Sequence, residues 1–220
     1  MKSLRPIAAL VLSLAATASA SAQLILNGSF ETPLVPPGFY TNFAGGSTAI
    51  TGWTVVGVDS AVTSGTFMQS GITFQAQSGN QWLDLAGVTS NSTTSGVTQN
   101  VATVIGQAYD LNFYVGSATD GVFFFPATVD LTIDGGARMS YFNPTAPSDR
   151  LDWKSFTVPF IATSTTTSLT FFNGSASNNY ISPLDNVSLA PAVPEPSAAL
   201  FSAIGILVVA LRRTRNCRKA

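Results

Sequence analysis

Tyr109-Asp110-Leu111-Asn112-Phe113-Tyr114-Val115 is the stretch that decides the fold. Side chains alternate with period two along an extended chain. Tyr109, Leu111, Phe113 and Val115 therefore share one face, and Asp110, Asn112 and Tyr114 share the other. A helix would scatter the apolar set around its circumference, so the period predicts a strand with one buried and one wetter face. The same period recurs. Val129, Leu131 and Ile133 alternate with polar neighbours, as do Phe156, Val158 and Phe160, and then Val187 and Leu189. Residues 24–26, 53–58, 72–76, 82–85, 96–101 and 168–173 are further strand candidates.

Turn chemistry separates these runs. Pro36-Pro37-Gly38, Gly45-Gly46, Ser78-Gly79-Asn80 and Asn173-Gly174-Ser175 mark turns, and Asp134-Gly135-Gly136 is expected at a hairpin tip. Residues 89–95 and 163–168, rich in Ser and Thr, read as exposed loops. No stretch between residues 23 and 190 has a helical period. Many short strands with frequent turns predict an all-β fold, a single β-sandwich of jelly-roll type.

Both ends differ from this middle. Lys2 and Arg5 precede an apolar run and two small-x-small sites, Ala18-Ser19-Ala20 and Ala20-Ser21-Ala22. Residues 1–22 read as a secretory signal peptide, with cleavage after Ala20 as the competing choice. Residues 191–196 form a proline-rich linker. Residues 197–211 are apolar, and residues 212–220 form a basic tail. The uncharged run 198–211 would make about 21 Å of helix. That is short for a span of 17–25 residues, so it predicts a weak or transient anchor. The basic cluster behind it belongs on the cytoplasmic side.

Charge follows the same division. Residues 23–190 carry ten acidic side chains against Arg138, Arg150 and Lys154, a net charge of −7. Such a domain repels phosphate backbones, which argues against a nucleic-acid partner. The whole chain has no histidine, and its one cysteine, Cys217, lies in the basic tail. Histidine-based triads and zinc sites are thereby excluded.

Two resemblances add to this reading. Val193-Pro194-Glu195-Pro196, the short apolar run, and Arg212, Arg213 and Arg215 together resemble the PEP-CTERM sorting signal of Gram-negative bacteria. The resemblance implies export by the secretion machinery and a transient membrane anchor. It also implies removal of the tail by an exosortase and a final place at the cell surface or in the extracellular matrix. Leu26-Asn27-Gly28-Ser29-Phe30-Glu31, Gly52-Trp53 and Leu184-Asp185-Asn186-Val187-Ser188-Leu189 resemble the two ends of the galactose-binding-like jelly roll of carbohydrate-binding modules. That likeness implies neighbouring first and last strands. It also implies a structural calcium ion held by Glu31, Asp185 and backbone carbonyls.

Flat rings beside polar groups are what a glycan needs, because rings stack on sugar CH faces while amides and carboxylates pair with hydroxyls. The candidate rings are Tyr40, Trp53, Trp82, Tyr114, the three phenylalanines at 123–125, Tyr141 and Trp153. Trp53 sits in a strand pattern and reads as core. Trp82 sits in one too and reads as core in the same way, although it shares its face with Asp84, which leaves it open to the wetter side. Tyr114 shares its face with Asp110 and Asn112 and is the leading exposed ring. The expected ligand set is Tyr114, Trp82, Asp84 and Asn112. Asp59, Asp120, Asp134 and Asp149 read as solvated turn caps. Three functions follow: a non-catalytic matrix protein that binds extracellular polysaccharide, a purely structural surface or biofilm protein, or a glycan hydrolase using paired aspartates.

Overall fold

The computed structural model describes residues 24–119, 123, 127–175 and 181–192. The signal peptide, the linker from Val193 onward with Pro194, Glu195 and Pro196, the sorting segment, the basic tail with Arg212, Arg213 and Arg215, and Asp120, Phe124 and Phe125 lie outside them. In chain order the strands are β1 (Tyr40–Ala44), β2 (Thr54–Val56), β3 (Asp59–Ser64), β4 (Met68–Gln69), β5 (Ile72–Thr73), β6 (Gln81–Asp84) and β7 (Gly96–Ala102). They continue with β8 (Ala108–Ser117), β9 (Thr128–Ile133), β10 (Met139–Phe142), β11 (Asp152–Ile161), β12 (Thr166–Asn173) and β13 (Pro183–Pro191). No helix is present among the described residues.

The alternation at 109–115 is the middle of β8. Its apolar set, Leu111, Phe113 and Val115, is fully buried. β8 lies inside a six-stranded sheet of order β1-β3-β6-β13-β8-β11. A five-stranded sheet, β10-β9-β12-β7-β2, covers its inner face, and the strand pairings within both sheets are antiparallel. The main core fills the space between. Val62, Leu83, Leu111, Phe113 and Leu184 from one sheet meet Val55, Val97, Val129, Leu131 and Phe171 from the other. Phe113 and Phe171 meet edge-on across the gap, with centroids 5.2 Å apart. This is the expected β-sandwich.

The two ends of the domain are joined as the motifs imply. Val187 donates its N–H to the Gly28 carbonyl (2.8 Å). A Cβ on Gly28 would stand 1.9 Å from the Val187 oxygen, so only glycine fits this approach. Asn27, at φ 54°, ties the turn with its side-chain amide, which donates to the carbonyls of Thr32 (2.7 Å) and Thr51 (3.0 Å). The Trp53 indole N–H closes onto the Asn27 carbonyl (3.1 Å).

Several expectations change. Residues 24–26 form no strand. The side-chain amide of Gln99 occupies the backbone of Leu26 instead, accepting its N–H (2.8 Å) and donating to its carbonyl (3.0 Å). Of the candidate strand 72–76 only Ile72 and Thr73 pair as β5; Phe74 onward covers the outer face of the six-stranded sheet. β3 escapes a reading by period because all six of its residues are buried, so its two faces do not differ in polarity. Asp134 and Gly135 do form the hairpin tip between β9 and β10, both with positive φ.

Candidate functional site

β1, β3 and β6 lie side by side, with Tyr40 opposite Thr63, Thr63 opposite Trp82, and Ala61 opposite Asp84. All five side chains project from the outer face of the sheet, because the next residue on β6, Leu83, points into the main core. The hairpin of β4 and β5 folds over this face. It brings Phe74 onto Trp82 and Phe67 against Phe74, in a second apolar cluster with Ile72, Phe123, Leu151 and Ile181. The rings form a chain. Tyr40 and Phe67 lie edge-on at 5.6 Å, Phe67 and Phe74 lie tilted at 5.7 Å, and Phe74 stacks on Trp82 at 6.1 Å.

A loop at 87–91 forms the opposite wall, and Asp59 holds it. The carboxylate of Asp59 accepts the N–H groups of Val88 (3.0 Å) and Thr89 (2.9 Å). It also accepts the hydroxyls of Thr89 (2.8 Å) and Ser90 (3.1 Å) and the amide of Asn42 (3.0 Å). Burial works to raise its pKa, but the bonds from Thr89, Val88 and Asn42 outweigh burial and hold it below the usual carboxylate range. Gly87, at φ +64°, passes so close to Asp59 that a Cβ would lie 2.4 Å from the carboxylate carbon. Between the hairpin and this loop lies a cavity of about 510 Å³. Tyr40, Thr63, Phe67, Gln69, Trp82, Asp84, Thr89, Ser90 and Asn91 are among its lining residues.

Asp84 belongs to the cavity and is itself 7 % exposed. Its Oδ1 accepts the N–H groups of Ser182 (2.9 Å) and Ala86 (3.0 Å). Burial pushes its pKa up to about 7 against the pull of those two bonds, and the charge of Asp59 adds to the rise.

Glu31 and Asp185 converge on a different loop. Asp185 accepts the N–H groups of Gln77 (2.8 Å), Ser78 (3.0 Å) and Asn186 (2.6 Å). Glu31 accepts those of Asn80 (2.7 Å) and Gln81 (2.9 Å). Asp185 is fully buried, and burial raises its pKa to about 7. A calcium ion needs about 6 to 8 oxygens. As bonded here, the pair faces N–H donors and does not offer that set. Among the described residues no group of three or more acidic, histidine or cysteine side chains gathers to hold a metal.

The family model described as "Protein of unknown function (DUF642)" matches residues 23–190. The chain belongs to this family. No curated protein matches it. Solved structures with a similar fold include the CBM22-1 xylan-binding domain of Paenibacillus barcinonensis Xyn10C. That pair is 19% identical over 79% of this chain and 97% of the other, with a TM-score of 0.40. The CBM22-1-CBM22-2 tandem of the same protein gives 18% identity over 82% and 49%, with a TM-score of 0.45. An exo-beta-1,3-galactanase from Phanerochaete chrysosporium gives 19% over 68% and 28%, at 0.41. This chain thus spans less than a third of the galactanase.

In this DUF642 chain the expected ligand set divides. Trp82 and Asp84 line the cavity; Tyr114 and Asn112 share the same outer face but sit on β8, beyond β13 and outside the lining. Asn112 instead accepts the Thr157 hydroxyl at 2.6 Å, and Tyr114 is half-buried. Trp82 takes the core alternative and is no open ligand ring. It is 1 % exposed beneath Phe74 and Trp153, and its indole N–H is spent on the Phe74 carbonyl. Asp59 is no solvated cap, whereas Asp134 and Asp149 are exposed as expected. Trp53 is core, and Phe123 is buried. The exposed ring at the cavity is Tyr40. Phe67, Gln69 and residues 89–91 carry no period and no motif, so only their contacts reveal them. Serine and threonine density at 89–95, read as exposed loop, was the available signal.

Proposed function

We propose that this chain is an exported, non-catalytic surface or matrix protein whose sandwich binds extracellular polysaccharide in the cavity bounded by β1, β6 and the 87–91 loop. The observation that carries the reading is the lining. Tyr40, half exposed, shares the lining with the amide of Gln69, the hydroxyl of Thr63, and the hydroxyl oxygens of Thr89 and Ser90, whose protons go to Asp59. A pyranose offers CH faces to a ring and hydroxyl edges to such groups. A hydrolase with paired aspartates would need both carboxyls at the substrate. Asp84 lines the cavity, but Asp59 is committed to five hydrogen bonds that hold the wall. The secretory signal and the PEP-CTERM-like tail supply the address, with an exosortase as processing partner.

Tyr40→Ala is expected to weaken binding to the host's exopolysaccharide about tenfold, the equivalent of ~1.4 kcal/mol, without moving the melting temperature. Isothermal titration or affinity electrophoresis measures it. Wild-type protein that ignores every polysaccharide offered would overturn the reading.

A calcium ion at Glu31 and Asp185 would compete with the five backbone N–H groups that these two carboxylates accept. Glu31→Gln is expected to change the melting temperature equally in calcium and in chelator, as a role in holding the 77–81 loop requires. A change confined to calcium buffer would assign the ion.

A further inference from the structure

The last described residue, Ala192, donates its N–H to the Ala108 carbonyl (2.9 Å) at the start of β8. Ala108 in turn sits opposite Ile161 at the end of β11. The loop before β8 is pinned to the same place. Gly106 donates to the Ala162 carbonyl (2.8 Å), and Ala162 donates to that of Gln107 (3.0 Å). Val104, Ile105 and Ile161, each about two-thirds exposed, therefore crowd the end of the sandwich where the chain leaves for its tail. Residues 102–107, 161–166 and 189–192 contain no charged side chain. This end is thus uncharged, with its exposed aliphatic side chains set among the hydroxyls of Thr163, Ser164, Thr165 and Thr166, a mixture suited to a headgroup interface rather than to a hydrocarbon interior.

The sequence restricts how far this end stands from the tail's apolar run. Six peptide steps separate Ala192 from Ala198, which allows roughly 20 Å at full extension. β13 sets the other direction. It runs nine residues from Pro183, opposite Asp84 at the cavity, to Pro191. At about 3.3 Å per residue the cavity lies roughly 26 Å from the exit.

We propose that the end formed by Val104, Ile105 and Ile161 rests on the surface of the phospholipid bilayer while the tail is in place, with the cavity facing away. This rests on the reading of residues 198–211 as a membrane segment. Three exposed aliphatic side chains, tethered within a short linker of an anchor, meet the interface at high effective concentration. The bilayer then covers a patch that water would otherwise cover.

The test uses the full chain with Cys217→Ser, carrying either Ile105→Cys or Gln69→Cys labelled with an environment-sensitive fluorophore. It is reconstituted into vesicles of phosphatidylethanolamine and phosphatidylglycerol that contain a lipid-borne quencher. The label at 105 is expected to be quenched several-fold more than the label at 69. Adding Val104→Asp and Ile161→Asp should bring it down to the level at 69, with the melting temperature unchanged. Equal quenching at both positions, in chains that resist carbonate extraction, would overturn the proposal and leave the anchor standing. Chains that wash out in carbonate would overturn the anchor and the proposal with it.

Discussion

Raising the pH from about 5 to about 8 should lower the melting temperature of this protein, and Asp84→Asn should remove much of that loss. Burial lifts Asp84 from the ordinary 3.8 to about 7. Its contribution to stability is fully present below the unfolded value, where folded and unfolded chains are both protonated. It is lost as the pH rises through 7, because between the two values the folded chain holds the extra proton. At ~1.4 kcal/mol per pH unit, the two units between pH 5 and the folded value near 7 weaken the fold by roughly 3 kcal/mol, or on the order of 10 °C for a domain this size. Asp185, raised to about 7 by its own burial, works in the same direction. Asp59, held low by its hydrogen bonds, works in the opposite one, and its share is lost on acidification. The optimum therefore lies near pH 4, close to the unfolded carboxylate value, where the loss from Asp59 on one side meets the loss from Asp84 and Asp185 on the other. The chain has no histidine to mask the effect. Asparagine at 84 stays neutral at every pH, and its Oδ1 keeps the N–H groups of Ser182 and Ala86. Calorimetry with chelator present measures the outcome. A melting temperature that is flat from pH 5 to 8, or an Asp84→Asn chain that follows the wild type, would refute the assignment.

The same carboxyl shows where reading by period stops. β8, β9, β12 and β13 announce themselves because their two faces meet different surroundings. The joined ends announce themselves because Asn27, Gly28 and Trp53 each perform one local task. β6 misleads. Asp84 shares a face with Trp82, and a carboxylate normally marks a wet face, yet this one is buried with its Oδ1 satisfied by N–H groups of residues 86 and 182. Asp59 misleads in the same way, since its partners at 88–90 are some thirty residues distant. The cavity depends on the β4–β5 hairpin folding back over the sheet. That step is held by Phe67 packing on Phe74 and by Phe74 stacking on Trp82, contacts that leave no period in the sequence. Trp82 and Asp84 do share one face of β6, as their spacing of two requires, but the covering that buries them and separates them from Tyr114 and Asn112 was invisible.

Trp53→Ala should shift the midpoint of urea unfolding further than any other single truncation in the core. Trp53 is 1 % exposed and lies against Phe30 (5.5 Å) and Phe171 (6.2 Å). It couples the opening turn to the five-stranded sheet. Removing a buried ring of this size costs about 3–5 kcal/mol through lost contact and the cavity left behind. The Asn27 carbonyl also loses its indole donor, so the turn that carries Gly28 against Val187 is loosened. Set against a total stability of roughly 5–15 kcal/mol, that loss takes a large part of the whole. Trp53→Phe separates the two contributions. It keeps most of the ring contact and drops only the hydrogen bond, for an expected loss near 1 kcal/mol. An unchanged slope of free energy against urea would show that both variants act on the native state. If alanine and phenylalanine cost the same, the ring contacts carry nothing and the turn is held by the indole N–H alone. If alanine costs less than about 1 kcal/mol, the opening turn is not part of the cooperative core, and the joined ends are an ornament on a sandwich that holds without them.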